Sequence, residues 1–89
     1  MHKFRFEKEL EKTLAKIERK NKSLYIQIKN KINEIINSYN IETYKHLRHN
    51  MKDSQRVHVG HFVLVFSYDK KNDLVSFEDF AHHDDIYVR

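Results

Sequence analysis

Two stretches of the chain hold side chains whose types and spacing could do chemistry. FAHHDDIYVR, residues 80–89, crowds two adjacent histidines, two aspartates and a tyrosine together. Arg56-Val57-His58 sets an arginine and a histidine two positions apart. Histidine exchanges protons near neutral pH, and arginine holds a fixed cation in a fork that suits phosphate. The HHDD run also has the composition of a metal site, or of the solvated end of a strand. A zinc site built from such ligands needs three or four donors converging at about 2.0–2.2 Å. If a strand persists through these residues, His82 and His83 point to opposite faces and do not share one ion. His58 and His61 are also oddly spaced for one strand face, unless a turn at Gly60 intervenes. The spacing therefore argues against a functional metal, and no cofactor is expected.

These residues must be placed by a small scaffold. With 89 residues, 39% of them hydrophobic and 34% charged, the sequence predicts one domain spanning residues 1–89 with a thin core. It contains no cysteine, which excludes disulfides and thiolate zinc sites and leaves a small core that would gain from a partner's added burial. No stretch approaches the roughly 20 apolar residues of a membrane helix, and MHKFRFEKEL lacks the apolar segment of a signal peptide, so a cytoplasmic protein is expected. The net charge of +4 is uneven: +5 over residues 1–38, +2 over 39–66 and −3 over 67–89. A basic N-terminal two-thirds suits a polyanionic partner such as nucleic acid.

The periodicity gives the element order. HKFRF alternates and reads as a short strand with Phe4 and Phe6 on one face. Phe6, Leu10, Leu14 and Ile17 then form a helical stripe, with acidic residues early and basic residues late. KNKS breaks the pattern, and Ser23 is a candidate cap for a second helix over about 23–38. Its apolar stripe is Tyr25, Ile28, Ile32, Ile35 and Tyr39, widened by Ile36, with Lys22, Lys29 and Lys31 on the outer side. Residues 41–54 read as a polar connection anchored by Tyr44, Leu47 and Met51. Three strands follow: QRVHV, FVLVFSY after Gly60-His61, and LVSFEDFAH after the turn DKKND. The order β-α-α-β-β-β predicts an α+β fold, with an N-terminal strand and a helical hairpin packed on a small twisted antiparallel sheet.

From Tyr44 onward the residues resemble the RelE/ParE superfamily of toxins from bacterial and archaeal toxin–antitoxin pairs. That family runs from a helical hairpin through a Leu-rich loop to R-x-R-V-G-x-Y-R-x-x-Y, and after a further strand to G-H-R-x-x-x-Y. Here the loop reads Tyr44-Lys45-His46-Leu47-Arg48, and the next motif Arg56-Val57-His58-Val59-Gly60-His61-Phe62-Val63-Leu64-Val65-Phe66. The last motif reads Ala81-His82-His83-Asp84-Asp85-Ile86-Tyr87. Motif agreement covers residues 44–87, and the element order nearly the whole chain. Three family arginines are replaced, by His58, Val63 and His83.

The resemblance implies a ribosome-dependent endoribonuclease that cleaves mRNA by 2′-hydroxyl attack without a metal and is neutralised by a RelB-like antitoxin. As alternatives it leaves open a ParE-like protein that binds DNA gyrase and cleaves nothing, or a degraded, inactive toxin. For the nuclease, His58, His83, Tyr87 and Arg56 are the expected catalytic residues. His58 and His83 would transfer protons, and Tyr87 would stack or assist. Lys45, Arg48, Lys52 and Arg56 would bind RNA.

Overall fold

The structure is a computed structural model that describes residues 1–41, 45–46 and 54–87, with the backbone alone at Lys45, His46, Ile86 and Tyr87. The elements are β1 (Lys3–Phe6), α1 (Lys8–Lys20), α2 (Lys22–Ile36), β2 (Lys45–His46), β3 (Ser54–Val59), β4 (Phe62–Asp69), β5 (Leu74–His82) and α3 (His83–Tyr87). Among the described residues the strands form one five-stranded sheet in the order β1-β5-β4-β3-β2. The expected α+β arrangement is present, and its sheet is mixed rather than antiparallel, because β1 pairs in parallel with β5. Side-chain alternation tells which residues share a face and nothing about strand direction. The chain from α1 through β4 lies between β1 and β5 and supplies the long connection that a parallel neighbour needs. The second difference is β2, a two-residue strand inside the expected connection, which pairs Lys45 with Arg56 and His46 with Gln55. The anchors Tyr44, Leu47 and Met51 lie outside the described residues.

The hairpin is joined through a single residue. The Asn21 backbone N–H donates to the Ile17 carbonyl at 2.7 Å, closing α1. Its side-chain oxygen accepts from the Leu24 N–H at 3.1 Å, opening α2. Asn21, not Ser23, is therefore the cap, a role for which its short carboxamide is well suited. Because α2 ends at Ile36, Tyr39 falls out of phase with the stripe and is fully exposed, contrary to expectation.

Leu10, Ile28, Ile32, Ile35 and Ile36 of the helices pack on Val59, Leu64, Phe66, Val75, Phe77 and Phe80 of the sheet. Each such side chain contributes about 1.5–3 kcal/mol when fully buried. Gly60 and His61 form a two-residue turn between β3 and β4, and Gly60 sits at φ +62°. Only glycine adopts that backbone cheaply, so the glycine is explained by the turn.

The start of the chain is fastened by His2. Its Nδ1 pairs with Asp73, its Nε2 lies 2.6 Å from the Ser38 carbonyl, and its ring meets Tyr68 edge-on. The Tyr68 hydroxyl also donates to Asp73 at 2.9 Å. Both ring nitrogens face acceptors, so the full set of bonds requires the imidazolium. The Asp73 side chain, then the Ser38 carbonyl, raise the His2 pKa above its usual 6.5. His2, then Tyr68, lower the Asp73 pKa below its usual 3.8. The clamp's contribution is complete between those usual values. It is lost as pH rises through the raised histidine value, or falls through the lowered aspartate value. Denaturant midpoints measured against pH should show wild type more stable than His2→Ala at pH 5–6, with the difference shrinking in alkali. A difference that stayed constant from pH 5 into alkali would contradict the clamp.

Candidate active site

The two faces of the sheet differ. The face against the helices carries the core, and the other carries Arg56 and His58 of β3, Val63 and Val65 of β4 and Ala81 of β5. The register places His58 opposite Val63 and Val63 opposite Ala81, with Arg56, Val65 and Asp79 one step along. Val63 and Val65 are completely buried.

What brings the C-terminal histidine to this face is a bulge in β5. Val65 pairs with Asp79 and Phe66 with Phe77, so Glu78 is an extra residue. Before it, Val75 and Phe77 face the helices; after it, Phe80 does. The Glu78 carboxylate accepts from Ser54 Oγ at 3.0 Å and from Ser67 Oγ at 2.9 Å, tying the bulge to β3 and β4. Were the same residues paired without the bulge, strict alternation would turn His83 to the phase of Val75 and Phe77, the helix side.

The site then assembles from three elements. The His58 and His83 rings stack with centroids 5.7 Å apart and planes inclined by 24°. Arg56 Nη1 donates to His58 Nε2 at 3.3 Å. His83 opens α3, and its backbone N–H donates to the His61 carbonyl at 3.0 Å, fixing it beside the Gly60 turn. His83 Nδ1 lies 3.4 Å from Asp84 Oδ1. His82 goes elsewhere: its ring meets Phe62 edge-on, and its Nδ1 accepts the Asp84 backbone N–H at 3.2 Å. That nitrogen carries no proton while accepting, so Asp84 Oδ2, 3.7 Å away, makes no ion pair with it. The two histidines are both half exposed and differ in their neighbours, His82 lying against Phe62 and His83 against His58. Among the described residues no three His, Asp or Glu side chains gather as a metal site.

The structure brings together Arg56, His58 and His83 of the expected residues. Lys45 is paired in register with Arg56, and Tyr87 is the last residue of α3, each described by its backbone alone. Arg48 and Lys52 lie outside the described residues. The sequence assigned no role to Glu78, and none to Asp84 once a metal site was argued against. The bulge does leave a trace, since the apolar positions Val75, Phe77 and Phe80 step by two and then by three.

A scan against protein-family models gave no match. The chain is 43% identical over 81 residues to a protein of Methanocaldococcus jannaschii named as a candidate toxin RelE4, covering 90% of this chain and 84% of that one. Its fold is similar to that of the isolated Escherichia coli RelE toxin, with a TM-score of 0.75 at 21% identity over 99% of this chain and 93% of that one. It is also similar to a chain of the toxin–antitoxin complex RelBE2 of Mycobacterium tuberculosis, with a TM-score of 0.63 at 16% identity over 92% and 98% of the two chains. A mixed sheet with a helical hairpin on one face is the fold this chain shares with those structures. The chain belongs to the RelE family of toxins.

Glu78→Ala removes two hydrogen bonds to a charged acceptor and should destabilise the fold by about 2–4 kcal/mol in denaturant unfolding. An unchanged midpoint would show that the carboxylate does not hold the bulge.

Proposed function

We propose that the chain, as one domain over residues 1–89, is the toxin of a toxin–antitoxin pair and a ribosome-dependent endoribonuclease acting in the cytoplasm. The observation that carries this reading is the stacking of His58 on His83 beside Arg56. RNA cleavage by its own 2′-hydroxyl needs a proton acceptor, a proton donor and a cation for the phosphate. Two imidazoles and a guanidinium supply that set. The 2′-oxygen loses its proton to one imidazole and bonds to phosphorus. The bond from phosphorus to the 5′-oxygen breaks, and the second imidazole protonates that oxygen. The products are a 2′,3′-cyclic phosphate and a 5′-hydroxyl. Arg56, with Lys45, Arg48 and Lys52, holds phosphates, and Tyr87 stacks on a base or assists a proton. A protein that merely occupies gyrase has no use for the imidazole pair.

A RelB-like antitoxin is the expected inhibitor. Support comes from the similarity to a chain of the M. tuberculosis toxin–antitoxin complex, and from a thin core that gains by further burial. Induction without the neighbouring gene should arrest growth, and primer extension should map cuts positioned by codon. His58→Ala and His83→Ala should each slow cleavage roughly 100- to 10,000-fold. Arrest that survives both substitutions, or messages without positioned cuts, would overturn the nuclease reading and favour gyrase as target.

A further inference from the structure

We infer that the two stacked histidines have fixed and opposite roles, with His58 taking the proton and His83 giving it, and that Asp84 is the residue that positions His83 as donor. The inference rests on the nuclease reading above and extends it to a residue outside the expected site. An arginine N–H can only donate, so the contact from Arg56 Nη1 at 3.3 Å requires a lone pair on His58 Nε2. An ionised carboxylate can only accept, so the contact from Asp84 Oδ1 at 3.4 Å requires a proton on His83 Nδ1. The rings lie 5.7 Å apart, so one phosphodiester fits within reach of both.

The roles follow from these bonds. When an RNA phosphate takes the Arg56 fork, His58 Nε2 is released with its lone pair and accepts the 2′-hydroxyl proton. His83 in its imidazolium form keeps Nδ1–H on Asp84 and gives its Nε2 proton to the departing 5′-oxygen. The ring left behind is neutral and still held at Nδ1, so the nitrogen facing the substrate is the one that must be recharged. Among the described residues, the titratable groups beside His83 include Asp84 and His82 in sequence and His58, which Arg56 contacts, across the face. His82 Nδ1 is occupied by the Asp84 backbone N–H, which leaves the Asp84 carboxylate to His83.

The test pairs long-range proton–nitrogen NMR of the free toxin with single-turnover cleavage of ribosome-bound message. In wild type the neutral His83 ring should carry its proton on Nδ1. Asp84→Ala should shift it to the Nε2–H form that unconstrained histidine prefers, with His58 unchanged. Asp84→Asn should lower kcat about 10- to 100-fold with KM unchanged. Asp85→Asn, the same charge change one residue on, should leave kcat unaltered. An unaltered His83 tautomer in Asp84→Ala overturns the inference, as does an unaltered kcat in Asp84→Asn. A wild-type protein that shows these tautomers and cuts no message overturns the nuclease reading and leaves the hold of Asp84 on His83 standing.

Discussion

The carboxylate of Glu78, held by the hydroxyls of Ser54 and Ser67, keeps one extra residue in β5, and the site hangs on that extra residue. A strand alternates with period two, so a single inserted residue exchanges the faces of everything after it. The bulge allows Val75 and Phe77 to stay in the core, Phe80 to join them, and His83 to emerge beside His58. Ser67 comes from the adjacent β4 and Ser54 from β3 beyond it, so the carboxylate ties the three central strands in one register. Loss of the bulge would separate the two imidazoles and turn Phe80 out of the core.

Much of the scaffold was legible from the residues. The stripes Leu10-Leu14-Ile17 and Ile28-Ile32-Ile35 have one helical solution, and FVLVFSY has the composition of a central strand. Each reflects burial, which is written directly into side-chain type. The misread features depend on hydrogen bonds and strand direction. Asn21 outcompetes Ser23 as a cap because the chain turns there, and that turn is set by helix packing. Tyr39 continues the apolar spacing but not the helix. The parallel pairing of β1 depends on where a strand some seventy residues later lies, and no local pattern contains it. Within the site, Arg56 and His58 could be paired by alternation alone, whereas the arrival of His83 needed the bulge.

The acidic C-terminal segment, −3 over residues 67–89, opposes a polyanionic partner. Most of its carboxylates have local work. Asp69 accepts from Asn72 in the turn, Asp73 fastens His2, Glu78 anchors the bulge and Asp84 meets His83. Negative charge engaged in this way repels a polyanion less than its formal count implies, since nearby donors and cations share its field. The replacement of family arginines by His58 and His83 also acquires a chemical sense. A cation that cannot release a proton has given way to side chains that can.

The central claim is that His58 and His83 act as one unit in cleavage. It is tested most directly by a double-substitution cycle, comparing single-turnover rates of His58→Ala, His83→Ala and the double variant on ribosome-bound message. Residues that serve the same step as a unit lose little more together than singly. The account predicts a double variant about as slow as the slower single one. Losses that multiply would show two independent residues and contradict it.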